Sequence, residues 1–334
     1  MLDNGKAEGV RKIKRFEKYC LKDIATVSQG FTFSRLYQGK KNLKWNYFKV
    51  ADIGLNPNSK YLTNAINTIS DITMEEIGAL PFSKGSIVFP RVGAALFNNN
   101  KKILAQDGVV DDNVLVLTVT DTSKCWYEFL YYYLQGIPLA KWCNSGLVPV
   151  INTKTVLSQM VFLPPLPEQQ KIAAILSTQD KVIELKEKLL AQKQQQKKYL
   201  MQQLLTGKKR LPGFDRKWNY VKANEIFKSI VDKSYDGKLE VLSSTQDKGI
   251  VPRSQVDIDI KYNENSLSTY KKVSEGDFVI SLRSFQGGIE YSNYAGIVSP
   301  AYTVLRAIVK IDAGYYKQFF KSSNYIKRLN VAVY

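Results

Sequence analysis

One uninterrupted stretch constrains the fold of this chain more than any other feature. After Pro167 there is no proline or glycine until Gly207. A helix over this stretch would be about 60 Å long at 1.5 Å per residue. Pro167 suits the first turn of a helix, and Gly207 suits its C-terminal cap. The sequence therefore predicts one long helix from Pro167 to about Thr206.

Apolar residues recur along this helix at heptad spacing. Leu176, Ile183 and Leu190 are seven residues apart, and Leu204 lies in the same register. An apolar seam on a helix of this length needs a partner helix, as in a coiled coil. The predicted helix-pairing interface consists of Ile172, Ile175, Leu176, Val182, Ile183, Leu189, Leu190 and Leu204.

Two segments of mixed character flank the helix, and short motifs recur in both. The residues Lys84–Phe89 (KGSIVF) match Glu275–Ile280 (EGDFVI), and Tyr127–Tyr132 (YEFLYY) matches Tyr315–Phe320 (YYKQFF). The first pair of motifs is typical of a strand after a turn, and the second pair is typical of a buried helix. The predicted fold is α+β, with two mixed α/β domains joined by a coiled-coil-like helix of about 40 residues.

The change in texture along the chain predicts three regions. Residues 1–163 form the first domain, residues 164–210 the long-helix region, and residues 211–334 the second domain. In the first segment the repeated motifs are followed by the proline-rich start of the long helix, and in the second they are not. We therefore expect the second domain to be incomplete at its C-terminus.

The chain is strongly basic and contains no histidine. It has 48 lysine and arginine residues against 30 aspartate and glutamate residues, for a net charge of +18. This excess favours a polyanionic partner, either nucleic acid or an acidic membrane surface. Without histidine there is no Ser-His-Asp triad and no His-ligated zinc. The three cysteines form no C-x-x-C pair, which indicates reduced thiols.

Targeting and catalytic motifs are equally scarce. No apolar run approaches the ~20 residues that span a bilayer, and the first residues lack the apolar core of a signal peptide. The chain is therefore expected to be cytoplasmic, with no membrane partner. Neither a phosphate-binding loop nor a dinucleotide-binding glycine motif occurs in the sequence. We expect no catalytic residue and no metal site.

Two alternatives to a DNA-binding protein remain open. The first is a coiled-coil scaffold whose basic domains bind RNA or a protein partner. The second is an enzyme with metal-bound carboxylates at Asp111-Asp112-Asn113. A turn leading into the following apolar strand explains those three residues better.

Loops rich in arginine, asparagine and lysine supply the candidate DNA contacts. Arginine pairs with guanine and asparagine or glutamine with adenine, whereas lysine neutralises phosphates. Such residues cluster after the apolar strand of each segment, where loops commonly carry function. The candidates are Arg91, Asn98, Asn99, Asn100, Lys101, Lys102, Arg253, Arg283, Ser284 and Gln286.

The junctions of the long helix resemble a known protein family. The stretch Leu163–Ala173 (LPPLPEQQKIA), followed by the helix, Gln203–Gly207 (QLLTG) and Arg210–Phe214 (RLPGF), is similar to the conserved region of type I restriction–modification specificity subunits. The arrangement of domain, helix and domain, which covers nearly the whole chain, is also typical of this family.

The resemblance implies a division of labour in a larger complex. Each target-recognition domain would read half of a split double-stranded DNA sequence, and the helices would set the unread gap. Methyltransferase (modification) subunits would dock on the helices, bind S-adenosylmethionine and methylate adenine. A restriction subunit would use ATP and Mg to translocate and cut DNA. The chain itself would carry no cofactor.

The family pattern also raises the question of the helix's partner. In full-length members two such helices pack antiparallel, whereas this chain supplies one. A second copy of the chain is one candidate partner, and a two-fold dimer would present two identical first domains.

Overall fold

The computed structural model shows that the chain forms two compact units, residues 1–189 and 190–334. Each unit has its own sheets, helices and hydrophobic cores, which confirms the predicted mixed α/β character. The structure describes residues 16–55, 59–144, 146, 148–234, 237, 239–245, 247–256, 264–281 and 289–332.

The first unit contains most of the described strands. They are β1 (Glu17–Cys20), β2 (Ala25–Gln29), β3 (Trp45–Phe48), β4 (Tyr61–Leu62), β5 (Asn67–Ile69), β6 (Ile87–Pro90), β7 (Lys102–Leu104), β8 (Val109–Val110), β9 (Val114–Val119) and β10 (Met160–Leu163). The helices of this part of the chain are α1 (Val50–Leu55), α2 (Asp71–Glu76), α3 (Tyr127–Gln135), α4 (Thr153–Leu157) and α5 (Leu166–Leu204).

A five-stranded sheet in the order β2-β9-β6-β7-β4 organises the first unit. Its central strand, β6, is an uninterrupted apolar run that is buried on both faces. Ile87 and Phe89 pack in one core with α3, whereas Val88 packs in a second core on the other face. A smaller sheet in the order β5-β3-β8 and the β1–β10 pair complete the unit.

The start of α5 is fixed by one fully buried glutamine. Gln169 Oε1 accepts a hydrogen bond from the Trp126 backbone N–H at 2.9 Å. Its Nε2 donates to the carbonyl oxygens of Lys124 and Pro164, both at 2.8 Å. Because a buried amide must satisfy its donors and acceptor, these bonds attach the first turn of α5 to the residues before α3.

The predicted long helix is confirmed as α5, which covers 39 residues. It ends as expected: Gly207 has a φ of 71°, and its N–H donates to the carbonyl of Leu204. Ala173 is fully buried and Ile172 packs against the first core. Ile172, predicted as part of the pairing interface, is therefore half-buried against its own unit.

Most of the apolar seam on α5 is exposed to solvent. Leu204 is half-buried. The exposed members of the predicted interface are Ile175, Leu176, Val182, Ile183, Leu189 and Leu190. The exposed apolar face therefore begins after the first two turns of the helix.

The second unit is built from the remaining elements. Its described strands are β11 (Phe227–Ile230), β12 (Leu242–Thr245), β13 (Gly249–Pro252), β14 (Lys271–Val273), β15 (Phe278–Ser281), β16 (Ile289–Tyr291), β17 (Gly296–Val298) and β18 (Tyr302–Ala307). Its helices are α6 (Ala223–Ile226), α7 (Ala313–Phe319) and α8 (Ser323–Ala332), together with the last part of α5.

The backbone confirms the internal repeat predicted from sequence. The sheet order β11-β18-β15-β16 corresponds to β2-β9-β6-β7 in the first unit. Gly85, with φ 87°, donates its N–H to the carbonyl of Leu104 at 3.0 Å. Gly276, with φ 96°, donates to the carbonyl of Ser292 at 2.9 Å. The same glycine turn therefore precedes the central strand of both units.

Among the residues that the structure describes, no helix is both long enough and apolar enough to cross a bilayer.

Candidate nucleic-acid interface

Arg91 lies at the end of the central strand β6, where both of its backbone groups are fixed. Its N–H donates to the carbonyl of Asn113 at 2.8 Å, and its carbonyl accepts from the N–H of Ile151 at 2.9 Å. The guanidinium Nη1 lies 3.4 Å from the carbonyl oxygen of Asp112, and the residue is half-buried. Arg91 is thus fixed where the central strand ends, and it is partly open to solvent.

The acidic turn beside Arg91 is explained by its own hydrogen bonds. Asp111 Oδ1 accepts from the backbone N–H of Asn113 at 3.0 Å and from its Nδ2 at 2.8 Å. Asp112 Oδ2 accepts from the Thr32 hydroxyl at 3.0 Å. The described residues contain no group of three or more side chains that could hold a metal ion. The geometry therefore favours the turn interpretation of these carboxylates.

The chain following β2 is pressed against this turn. A Cβ atom on Gly30 would lie 2.3 Å from the carbonyl oxygens of Val110 and Asp111, so only glycine allows the approach. Phe31 then donates its N–H to the carbonyl of Val110 at 2.8 Å. This contact places the segment that starts at Thr32 beside the turn that carries Asp112.

The polar run at residues 98–102 is more structural than its composition indicates. Asn98 is exposed, and Asn100 is half-buried. Asn99 adopts a left-handed conformation, with φ 54°, and its Oδ1 accepts from the backbone N–H of Leu139 at 2.9 Å. Lys101 Nζ donates to the same Oδ1 at 2.7 Å. Asn99 therefore joins this run to the residues that follow α3.

Lys101 and Lys102 do not have the exposure that a phosphate contact requires. Each is only 2% exposed: Lys102 begins β7, which lies between β6 and β4 in the sheet, and Lys101 directly precedes it. Lys101 Nζ donates to the carbonyl of Ile137 at 2.9 Å, and Lys102 Nζ donates to the carbonyl of Ser59. Burial lowers the pKa of each ammonium group to about 8. The geometry thus argues against the predicted phosphate contacts by these two lysines.

A basic segment that the sequence analysis did not single out lies next to this region. Between Thr32 and Trp45 the structure leaves four cationic side chains exposed. They are Arg35, Lys40, Lys41 and Lys44. The Thr32 hydroxyl bond to Asp112 connects the start of this segment to the turn beside Arg91. The density of basic residues in this segment is visible in the sequence. The position of the segment beside Arg91 is not, because it depends on the tertiary fold.

In the second unit the structure describes one of the four candidates. Arg253 is half-buried in a short 3-10 helix that directly follows β13, and its backbone N–H donates to the carbonyl of Val241 at 3.1 Å. Arg283, Ser284 and Gln286 lie outside the described residues.

Comparison with known proteins identifies the family. Residues 13–194, more than half of the chain, match the family model described as the type I restriction modification DNA specificity domain. The chain belongs to this family. The match includes the Leu163–Ala173 junction motif and the long helix up to residue 194.

Curated relatives agree with this assignment. The chain is 41% identical over 85 residues to the type I restriction enzyme MjaX specificity subunit of Methanocaldococcus jannaschii, an alignment that covers 25% of this chain and 20% of the relative. It is 36% identical over 94 residues to the MjaVIII specificity subunit of the same organism, over 27% and 22% of the two chains. The matched segments thus span about a fifth of the relatives' length. Specificity subunits of these systems are non-catalytic.

Solved structures share the fold over nearly the whole chain. The S subunit of a type I restriction–modification system from M. genitalium superposes with a TM-score of 0.56 at 12% identity, and covers 97% of this chain and 81% of that one. A chain from a structural study of complex assembly and conformational transition in a type I R-M system gives a TM-score of 0.53 at 16% identity, over 92% and 81%. The predicted fold of two mixed α/β domains linked by a long helix is therefore confirmed.

Proposed function

We propose that this specificity subunit recognises a bipartite double-stranded DNA target, with each unit reading one part. The repeated sheet carries this proposal, because the same glycine turn and strand order occur on both sides of α5. The net charge of +18 favours a polyanionic ligand for both units. In this proposal the three regions 1–163, 164–210 and 211–334 are the first reader, the spacer and the second reader.

Arg91 is the proposed base-reading residue of the first unit. Its backbone is fixed at the end of a buried strand, and its partly exposed guanidinium suits bidentate recognition of guanine. Asn98, Asn100 and the basic segment after Thr32 supply further contacts. In the second unit the proposal keeps Arg253, Arg283, Ser284 and Gln286.

The catalytic work of the complex belongs to other chains in this proposal. Modification subunits bind S-adenosylmethionine and methylate adenine, and a restriction subunit uses ATP and Mg²⁺. The exposed apolar face of α5 supports a helical partner, because contact between apolar side chains and water is unfavourable and a second helix would remove it. The setting is the cytoplasm, where DNA and these subunits meet.

Methylation mapping tests the bipartite target. A host that carries this chain with its modification subunit is sequenced for methylated adenines, and we expect a split motif with a fixed gap. The Arg91→Ala variant should relax the motif at one base pair, which corresponds to about 1–3 kcal/mol of lost discrimination. Lys18→Ala, an exposed change on β1, is the control. An unsplit motif, or an unchanged motif in Arg91→Ala, would contradict the proposal.

A second copy of the chain is the proposed partner of the exposed seam when no other helix covers it. Ile183 and Leu190 are 51% and 59% exposed, and they lie two helical turns apart on one face. Replacing both with glutamate should convert a dimer into a monomer in sedimentation at micromolar concentration. Gln192→Glu with Gln195→Glu adds the same charge away from the seam and should leave the dimer intact. A folded wild-type monomer would exclude self-pairing.

The scaffold alternative makes a different prediction for binding. If the basic units bound RNA, single-stranded RNA would displace a labelled duplex efficiently. We expect duplex DNA to be the better competitor.

A further inference from the structure

A basic groove lies wholly within the second unit and outside the proposed base-reading loops. It has a volume of about 600 Å³ and lies between the last turns of α5 and the first turns of α8. Five lysines line it, and none of the described lining residues is acidic. Four of these lysines, Lys197, Lys198, Lys208 and Lys327, are exposed. Like charges gathered on one concave surface repel each other unless an anion occupies it.

The four lysines come from three separate parts of the chain. Lys197 and Lys198 lie on α5, Lys208 follows its glycine cap, and Lys327 lies on α8. Across the part of the chain that the structure describes, these four form no ion pair, in contrast to Lys321, which contacts Glu290 Oε2 at 2.8 Å. Their ammonium groups are therefore available to an external anion.

The other lining residues add neutral hydrogen-bond donors. Ser323 supplies a hydroxyl, and Gln202 and Asn324 supply amides. Ser323 and Asn324 also form the first turn of the ten-residue helix α8, whose positive dipole end favours negative charge. Phosphate oxygens accept hydrogen bonds from such groups in protein–DNA complexes.

From these observations we propose that the groove binds the sugar–phosphate backbone of duplex DNA without regard to sequence. This inference rests on the proposed DNA-reading function and adds a second contact region to it. Lysine supplies a point charge that suits a phosphate, whereas base reading uses the arginine fork, and the described lining contains no arginine. The half-buried Met201 and Ile326 give the groove an apolar surface for the deoxyribose.

The salt dependence of DNA binding tests this groove. The full-length chain is titrated with a fluorescent duplex of arbitrary sequence at several NaCl concentrations. In the triple variant Lys197→Gln, Lys198→Gln and Lys327→Gln, three phosphate contacts are lost. The slope of log K against log [salt] is negative, and its magnitude should decrease by about 2.7, at roughly 0.9 per contact, with binding at least about tenfold weaker at 0.1 M salt.

A charge-matched control separates the groove from bulk charge. Lys171, Lys186 and Lys193 are exposed on α5 but do not line the groove, and replacing all three with glutamine should leave most of the slope intact. An equal loss in both triple variants would overturn the proposal, and so would an unchanged slope in the groove variant. A groove variant that keeps its slope but loses the modification subunit would assign the groove to a protein partner. If the wild-type chain bound no duplex, the proposed function itself would fail.

Discussion

Lys60→Met tests how the long helix is fixed to the first unit. The Lys60 side chain is 5% exposed, and its Nζ lies 3.2 Å from Glu128 Oε1 and 2.8 Å from the Ser177 hydroxyl. The rings of Tyr61 and Tyr132 lie 4.7 and 5.2 Å from the same nitrogen. Because Glu128 is on α3 and Ser177 is on α5, one ammonium group connects the sheet to two helices.

The distance and burial set the expected magnitude. At 3.2 Å and an effective dielectric constant of 20, the Coulomb attraction between the two charges is about 5 kcal/mol, much of which offsets desolvation. Removing Lys60 leaves the Glu128 carboxylate without its cation, although its side chain is 16% exposed and still accepts a hydrogen bond from the Tyr61 hydroxyl. The expected cost is therefore about 3 kcal/mol, the low end for a broken buried pair. For a unit of this size the melting temperature should fall by about 6–12 °C. The double variant Lys60→Met with Glu128→Gln should recover much of this loss, since no uncompensated charge remains.

Calorimetry of the full chain measures the effect on the transition of the first unit. Lys44→Met provides the control, because Lys44 pairs with Asp71 at 2.7 Å on the surface, where both side chains are more than half exposed. We expect this variant to melt with the wild type, since surface ion pairs contribute little. A Lys60→Met variant that melts no lower than Lys44→Met would refute the reasoning. The reasoning would also be refuted if the double variant lost as much stability as the two single variants lose together.

Two further predictions concern the first unit. Gly30→Ala should destabilise it by about 2–4 kcal/mol in a thermal melt, because the new Cβ would meet two carbonyl oxygens at 2.3 Å. Gly54→Ala is the control: this glycine lies in α1 with open space around it, so the same melt should show a stabilisation of up to about 1 kcal/mol. Lys101 has its pKa lowered to about 8, so the unfolded state binds more protons above that pH and stability should rise with pH there. Between pH 7.5 and 9.5 the wild type should gain about 2 kcal/mol relative to Lys101→Met, and a constant difference in denaturant unfolding would contradict this.

The parts of the fold that sequence predicts are those with a local cause. The absence of helix breakers after Pro167 sufficed to predict α5, because propensity and periodicity act over a few turns. The glycine turn before each central strand was visible for the same reason, since a positive φ at Gly85 and Gly276 requires that residue type.

The candidate site was harder to predict because burial depends on distant chain segments. The run of polar residues ending at Lys102 has the composition of an exposed loop. The carbonyl groups that bind its two lysines belong to Ile137 and Ser59, tens of residues away in sequence. The role of Gln169 was hidden in the same way, since its three hydrogen bonds reach backbone groups just before α3 and just after β10.

Equivalent positions in the two repeats show why binding residues cannot be transferred from one unit to the other. In the first unit the Ser86 and Thr118 hydroxyls lie 2.8 Å apart across β6 and β9. At the corresponding positions of the second unit, Arg306 donates to both carboxylate oxygens of the buried Asp277, at 2.8 and 2.7 Å. The backbone turn is kept while a neutral contact is replaced by an ion pair. Side-chain chemistry has thus diverged even inside the shared frame, where packing constrains it most. The exposed loops beyond the frame are less constrained, so the contacts of each reader have to be established by variants made in that reader.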